Sequence, residues 1–336
     1  MPHLHRFLGF LAMLFFGCGC VPATQNAALH SPPLADADLH VDVHNPDKAY
    51  QGTTLLVDNH RENRPRILEL DMDGRIAWEY VIPSHLSRYT NPGFDVERLS
   101  NGHVLFVLPL HGIYEINRAG DVVWKHLDKN VTHDADRLPN GNTLYVFGGF
   151  DGKSDAQVKE VDPQGRMVWS WKAADHFDTP AYRDISDQGW THTNAVTRCK
   201  NGHTLISLRN FNIIAEVDAS GALVRAVGQG LFHYQHDPEI LPNGHLLVMN
   251  HKRPNQALEI DPKTDRVYWE SRPFEKEMSP VRDANLLPNG NILITGSTRI
   301  LELTRENEVV WCLNLDVIFK NRRQAPALGF YKAERY

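Results

Sequence analysis

The stretch Leu138-Pro139-Asn140-Gly141-Asn142-Thr143-Leu144, followed after a β-rich run by KEVDPQGRMVW ending at Trp169, decides the fold because both phrases recur along the chain. The first returns as LSNGHVL from Leu99, CKNGHTL from Cys199, LPNGHLL from Leu241 and LPNGNIL from Leu287. Their Asn-Gly pairs begin at Asn101, Asn140, Asn201, Asn243 and Asn289, in steps of 39, 61, 42 and 46 residues. A repeat of about 40–45 residues is the length of a propeller blade. The second phrase occurs six times, ending at Trp78, Trp124, Trp169, Arg225, Trp269 and Trp311. The first blade therefore opens on Gln51-Gly52-Thr53-Thr54-Leu55, a degraded form of the Asn-Gly phrase.

Each unit alternates short β-rich runs such as Leu144–Phe147 with Asn-Gly or Asp-x-x-Gly turns, the pattern of hairpins. Four such strands make an antiparallel blade whose faces are covered only when blades stack around an axis. The expected fold is all-β, a six-bladed β-propeller of four-stranded antiparallel blades over residues 45–336. The recurring Trp is expected to pack between neighbouring sheets rather than to do chemistry. Polar and turn residues fill the long step from Lys172 to Gly189, which reads as a loop over one end of the channel. The tail GFYKAERY at Gly329–Tyr336 is a candidate for closing the ring against the first blade.

A formal net charge of -6 gives no basic footprint for nucleic acid. Residues 1–20 read as an export segment: the apolar run Phe7–Phe16 follows Arg6 and precedes Gly17-Cys18-Gly19-Cys20. That run is too short to span a bilayer and fits the core of a signal peptide. A Cys after Gly at its end resembles a lipobox, with Cys18 the expected lipidated residue and Cys20 the alternative. The chain is thus expected in the bacterial cell envelope, facing the periplasm or the cell surface and held to membrane by a lipid, with residues 21–44 as a linker. Beyond this segment only Cys199 and Cys312 remain, both in strand-like surroundings and read as small core residues. No Cys/His zinc spacing occurs.

Aligned on the Asn-Gly pair, the position seven residues earlier holds Phe94, His133, Asn194, His236 and Arg282. Four of the five can bind an anion, and all lead into the innermost strand of a blade. His133 and His236 are each followed by Asp, and His192 lies two residues before Asn194. Arg209 follows an inner strand in the blade of His192. His103, His203 and His245 follow the turn Gly and are expected to be exposed. Neutral histidines, an Asn and an Arg, with no paired carboxylates and no metal triad, suit a tetrahedral oxyanion. The loop Asp151–Asp155 lacks the ligands of a calcium site and reads as a hairpin turn.

In this order and register, His133-Asp134, His192-Thr193-Asn194, Ser207-Leu208-Arg209 and Gln235-His236 resemble the bacterial arylsulfate sulfotransferases over roughly residues 45–336, as a short single-domain branch. The resemblance implies sulfuryl transfer from an aryl sulfate ester to a phenol with no nucleotide cofactor and no metal. It implies His236 as the nucleophile that becomes a sulfohistidine and His133 as proton donor and acceptor. His192, Asn194 and Arg209 would hold the sulfuryl oxygens. The reading from another class is a non-catalytic envelope propeller, a scaffold or ligand-binding lipoprotein. A quinone-dependent dehydrogenase would need eight blades.

Overall fold

The computed structural model describes residues 36–336 apart from 92, 275–277, 279 and 317–327. The export segment, with Cys18 and Cys20, lies outside the described residues. Among those described, no helix is long and apolar enough to cross a membrane.

The strands form six antiparallel sheets, five of four strands and one of five. In five blades the chain runs outward from the channel; their innermost strands are Val96–Arg98, Thr132–Arg137, Thr193–Arg198, His236–Ile240 and Val281–Leu286. The first blade takes its innermost strand from the C-terminus: Phe330–Arg335 pairs with Thr54–Asp58. The GFYKAERY tail thus closes the ring. The opposite end closes it a second time, because Leu39–His44 adds a fifth strand outside Val309–Leu315 of the sixth blade. Those six residues fall in the expected linker of residues 21–44, so the propeller begins earlier than position 45. Their Leu39 and Val41 pack in the core between the last and first blades, which the sequence around them, with no Asn-Gly turn, does not announce.

The Asn-Gly phrase makes a type I turn closed by a left-handed Gly. In the second blade Gly102 N–H donates to Leu99 O at 2.8 Å and Leu99 N–H to His103 O at 2.9 Å. Gly102 holds φ 82° with no neighbour within 4 Å of a built Cβ, so conformation rather than space requires glycine there.

Six clusters of buried apolar side chains fill the spaces between adjacent blades. Fully burying one such Leu, Ile or Val is worth about 1.5–3 kcal/mol. Above five of the six clusters a Trp reaches across. The indole N–H of Trp78, Trp124, Trp171, Trp269 and Trp311 donates to Arg118, Pro163, Gly221, Arg305 and Met72 carbonyls of the next blade, at 2.7–3.1 Å. In the third blade the donor is Trp171, two residues beyond the recurring Trp169, and the fourth blade has Arg225 in place of the recurring Trp, turned back to Glu216 at 2.6 Å. A cleft opens there between the fourth and fifth blades and runs in to Asp134, Asp237 and Lys332.

A second sixfold device ties each Asn-Gly turn to a glutamate two strands out. Glu69, Glu115, Glu160, Glu216, Glu259 and Glu302 bond Thr53, His103, Asn142, His203, His245 and Asn291 at 2.6–2.7 Å. His103, His203 and His245 are therefore half-buried and paired, not exposed as expected. The glutamate draws each imidazole down onto the sheet. Cys312 is buried between the fifth and sixth blades and Cys199 half-buried beside the fourth.

Candidate active site

The inner strands bring the aligned column together around the axis. His133, Asn194, His236 and Arg282 line one small cavity, and Tyr331 of the closing strand takes the sixth place. Phe94 instead packs among apolar side chains between the first and second blades. Most inner strands are bulged near this point, between Tyr145 and Val146 on the partner of His133's strand, and at Thr193/Ala195, His236/Glu239 and Val281/Asp283. A bulge re-aims side chains. Here it presents successive residues to the channel where a regular strand would turn every second one away.

His236 is set by its own backbone: Nδ1 lies 2.9 Å from the Tyr234 carbonyl. A carbonyl only accepts, so Nδ1 carries the hydrogen and Nε2 keeps its lone pair. His251 stacks on the ring with centroids 4.5 Å apart and interplanar angle 24°; its own Nε2 donates to Val281 O at 2.5 Å. Burial first, then His251, Arg209 and Arg282, press the His236 pKa well below the imidazole range. The ring stays neutral.

His133 and His192 meet edge-on at 4.8 Å between centroids. Burial, His192, Arg209 and Arg282 keep His133 neutral as well, and its buried Nδ1 has no hydrogen-bond partner among the described residues. His192 Nδ1 donates to Gln188 O at 3.1 Å. Burial and then Arg209 push His192 down to about 4. In this neutral form its Nε2 offers a lone pair, so His192 accepts a hydrogen bond, and it donates to an oxyanion only once protonated. Asn194 donates to Gln235 O at 2.9 Å, leaving its second amide hydrogen.

The long insertion holds this side of the site. Asp187 Oδ2 accepts from Tyr234 Oη at 2.8 Å and from Arg209 at 3.5 Å, while Arg209 lies over the Tyr234 ring at 3.8 Å. The turn at Asp151–Asp155 positions the His192 segment, since Asp151 accepts from the Thr191 and His192 N–H groups at 3.1–3.2 Å and from Thr191 Oγ1 at 2.8 Å. Gly148 lets this segment in, because a Cβ there would lie 2.1 Å from the Thr193 backbone. His133, His192, Tyr234 and Asp237 hold φ of 63°, 48°, 48° and 45°. Non-Gly residues in this region cost about 1–3 kcal/mol each and gather at functional sites.

The expectation of no paired carboxylates is corrected one layer down. Asp95, Asp134, Asp237 and Asp283 surround the single ammonium of Lys332 in the same cavity. Lys332 contacts Asp237 closely and Asp283 at 3.9 Å. Burial would raise Asp237, but Lys332 and a hydrogen bond from Asp283 outweigh it and hold that carboxyl low. Burial drives Asp134 and Asp283 well above the usual carboxylate range and Asp95 to about 7. Enclosure likewise opposes charge on Lys332, yet the four aspartates raise its pKa.

The structure thus brings together His133, His192, Asn194, Arg209 and His236, and adds Arg282, His251, Tyr331 and Lys332. Arg282 already stands in the aligned column. His251 lies eight residues after Asn243 as Arg209 does after Asn201, a second column that carries the signal. The aspartates occupy the column next to the histidines. Tyr331 and Lys332 belong to a strand without an Asn-Gly turn and so have no column in the sequence.

Residues 40–230 match the family described as Arylsulfotransferase (ASST), and residues 151–315 match a second family of the same description. No curated protein matches the chain. Among solved structures, a protein of unknown function from Bacteroides caccae is similar with TM-score 0.58 at 18% identity, covering 83% of this chain and 98% of its own. Virginiamycin B lyase from Staphylococcus aureus gives TM-score 0.52 at 14% identity, covering 85% and 90%. At such identities these two share the fold alone. The family matches span most of the ring and every site residue up to Arg282, and by them the chain belongs to the arylsulfotransferase (ASST) family.

Proposed function

We propose that the protein moves a sulfuryl group from an aryl sulfate ester to a phenolic acceptor through a covalent intermediate on His236. The observation that carries this reading is the Nδ1–H bond from His236 to the Tyr234 carbonyl, which leaves a neutral ring with its Nε2 lone pair ready for attack. Nε2 attacks sulfur, the sulfur–aryl oxygen bond breaks, and the phenol departs. The acceptor then attacks the sulfohistidine and restores the ring. Asn194 and Arg209 hold the sulfuryl oxygens through N–H groups, and Arg282 adds a second guanidinium from the sixth blade. His133 moves the phenolic proton. His192, neutral and edge-on to His133, joins the oxygen contacts only in its protonated form.

The test is incubation of purified protein with p-nitrophenyl sulfate and a phenol. Acceptor-dependent nitrophenol release and an acid-labile sulfated histidine are expected. No turnover across a panel of sulfate esters overturns the reading. The same proposal places the enzyme in the bacterial envelope, anchored through lipid on Cys18; palmitate label that persists in a Cys18→Ala variant would refute that attachment point.

A further inference from the structure

We propose that the carboxyl layer beneath the histidines, Asp95 and Asp134 above all, stores the proton that His133 delivers to the departing phenolate and recovers from the acceptor. The inference rests on the sulfuryl-transfer reading and supplies what that reading lacks. A neutral imidazole cannot surrender its last N–H to a phenolate, so His133 must first gain a proton. Its surroundings refuse a standing charge, through burial first and then through His192, Arg209 and Arg282. The proton must arrive with the reaction.

The layer is built to hold one. Four aspartates meet one lysine, and isolated carboxylates out of water cost several kcal/mol each. Asp237 takes the negative charge that balances Lys332. Asp283 donates to Asp237. Asp134 Oδ2 accepts from Val196 N–H at 2.6 Å and Asp95 Oδ2 from Ala135 N–H at 3.3 Å, so each has its other oxygen for a proton. Asp134 adjoins His133 in the chain, and both aspartates share the cavity with the unpartnered Nδ1. Glu334 disfavours ionisation of Asp95, and Asp136, Glu239 and Glu334 are themselves pushed up chiefly by burial. The cleft between the fourth and fifth blades reaches Asp134 and Asp237 from the other side and lets the layer refill from solvent.

In the first half-reaction Asp134 or Asp95 protonates His133 and becomes a carboxylate as His236 Nε2 bonds to sulfur; the aryl oxygen receives the electron pair of the broken sulfur–oxygen bond and the proton from His133. In the second half the acceptor's O–H proton returns by the same groups as its oxygen bonds to sulfur and the sulfur–nitrogen pair returns to His236. The charge stays inside the channel.

Single-turnover release from aryl sulfates of graded leaving-group acidity tests this in wild type, Asp134→Asn and Asp95→Asn. A dinitrophenolate leaves without help, whereas phenolate needs the proton. Each variant is expected to keep its dinitrophenyl rate and lose roughly 100-fold on phenyl sulfate, the scale of general acid catalysis. Equal losses on all esters overturn the proposal. Infrared spectra of the full-length wild type, free of substrate at neutral pH, are expected to show protonated carboxyl bands that shift in deuterium oxide. Their absence overturns it even if the variants fail to fold. Wild type inert toward every ester would instead refute sulfuryl transfer, while the infrared bands still report on the layer.

Discussion

Two sets of histidines share this propeller and differ in what holds them. At the turns, His103, His203 and His245 each rest Nδ1 on a glutamate at 2.6–2.7 Å. In the channel, His192 and His236 rest Nδ1 on backbone carbonyls, and the carboxyl layer lies in the same cavity as His236 without bonding its ring. The carbonyl fixes the tautomer of each channel ring, while burial first, and then Arg209, keeps both rings neutral. The turn position tolerates Thr53, Asn142 and Asn291 in the other blades, because any donor satisfies the glutamate. The channel position carries a different residue in most blades. Repetition marks the frame and departure from it marks the chemistry.

The sharpest way to break that comparison is to remove the channel ring that carries the lone pair. His236→Ala should lower acceptor-dependent turnover by roughly 1000-fold or more with little change in melting temperature. A variant that keeps half its activity would show that the lone pair on Nε2 is not the nucleophile.

Most of this distinction is legible in the sequence because the repeats supply their own alignment. The Asn-Gly pair fixes register, and register alone puts His133, Asn194, His236 and Arg282 on one ring. What sequence does not supply is depth. Asp134 and Asp237 are visible after their histidines, but only the bulges that turn consecutive residues inward make them a layer. Tyr331 and Lys332 enter from the C-terminal strand, more than two hundred residues from the blade they complete, with no turn phrase to align. The turn histidines read as exposed for a related reason: their glutamates lie 12–14 residues on, across two strands.

A second test uses pH. Asp95, 4% exposed, titrates at about 7 through burial, far above an unfolded aspartate near 3.9. The folded state binds more protons in that window, so stability is greatest below the unfolded value and falls as pH rises through 7. His192 and His251, lowered chiefly by burial to about 4, act oppositely and lose stability as pH falls from about 6.5 toward 4. From pH 6 to 9, Asp95 should contribute a decline of about 1 kcal/mol to the unfolding free energy measured in urea, and Asp95→Asn should lack it. An identical slope in that variant would remove Asp95 from the titrating layer.

Arg282→Met probes a guanidinium that lines the channel, whereas the arginines at the turns bond glutamates. The loss of one charged hydrogen bond, about 1.5–3 kcal/mol, should raise KM for the aryl sulfate by roughly 10- to 100-fold and weaken inhibition by inorganic sulfate in step. A neutral phenol acceptor should keep its KM. If sulfate inhibition is unchanged, Arg282 supports the fold by its contact with the Phe330 carbonyl at 3.2 Å and does not hold the anion.

The smallest effect belongs to the frame. His245→Ala removes the 2.7 Å bond to Glu259, but Asn243 at 3.0 Å and Arg305 still hold that carboxylate, so no charge is left bare. The cost should be about 1 kcal/mol, a drop of roughly 2–4 °C in melting temperature for a domain of this size, with turnover unchanged. His245→Asn copies the residue of the third and sixth blades and should recover most of the loss. Failure of the asparagine to do so, or a fall in turnover with either variant, would mean that the turn histidines do more than donate one hydrogen bond, and the division between frame and channel would have to be redrawn.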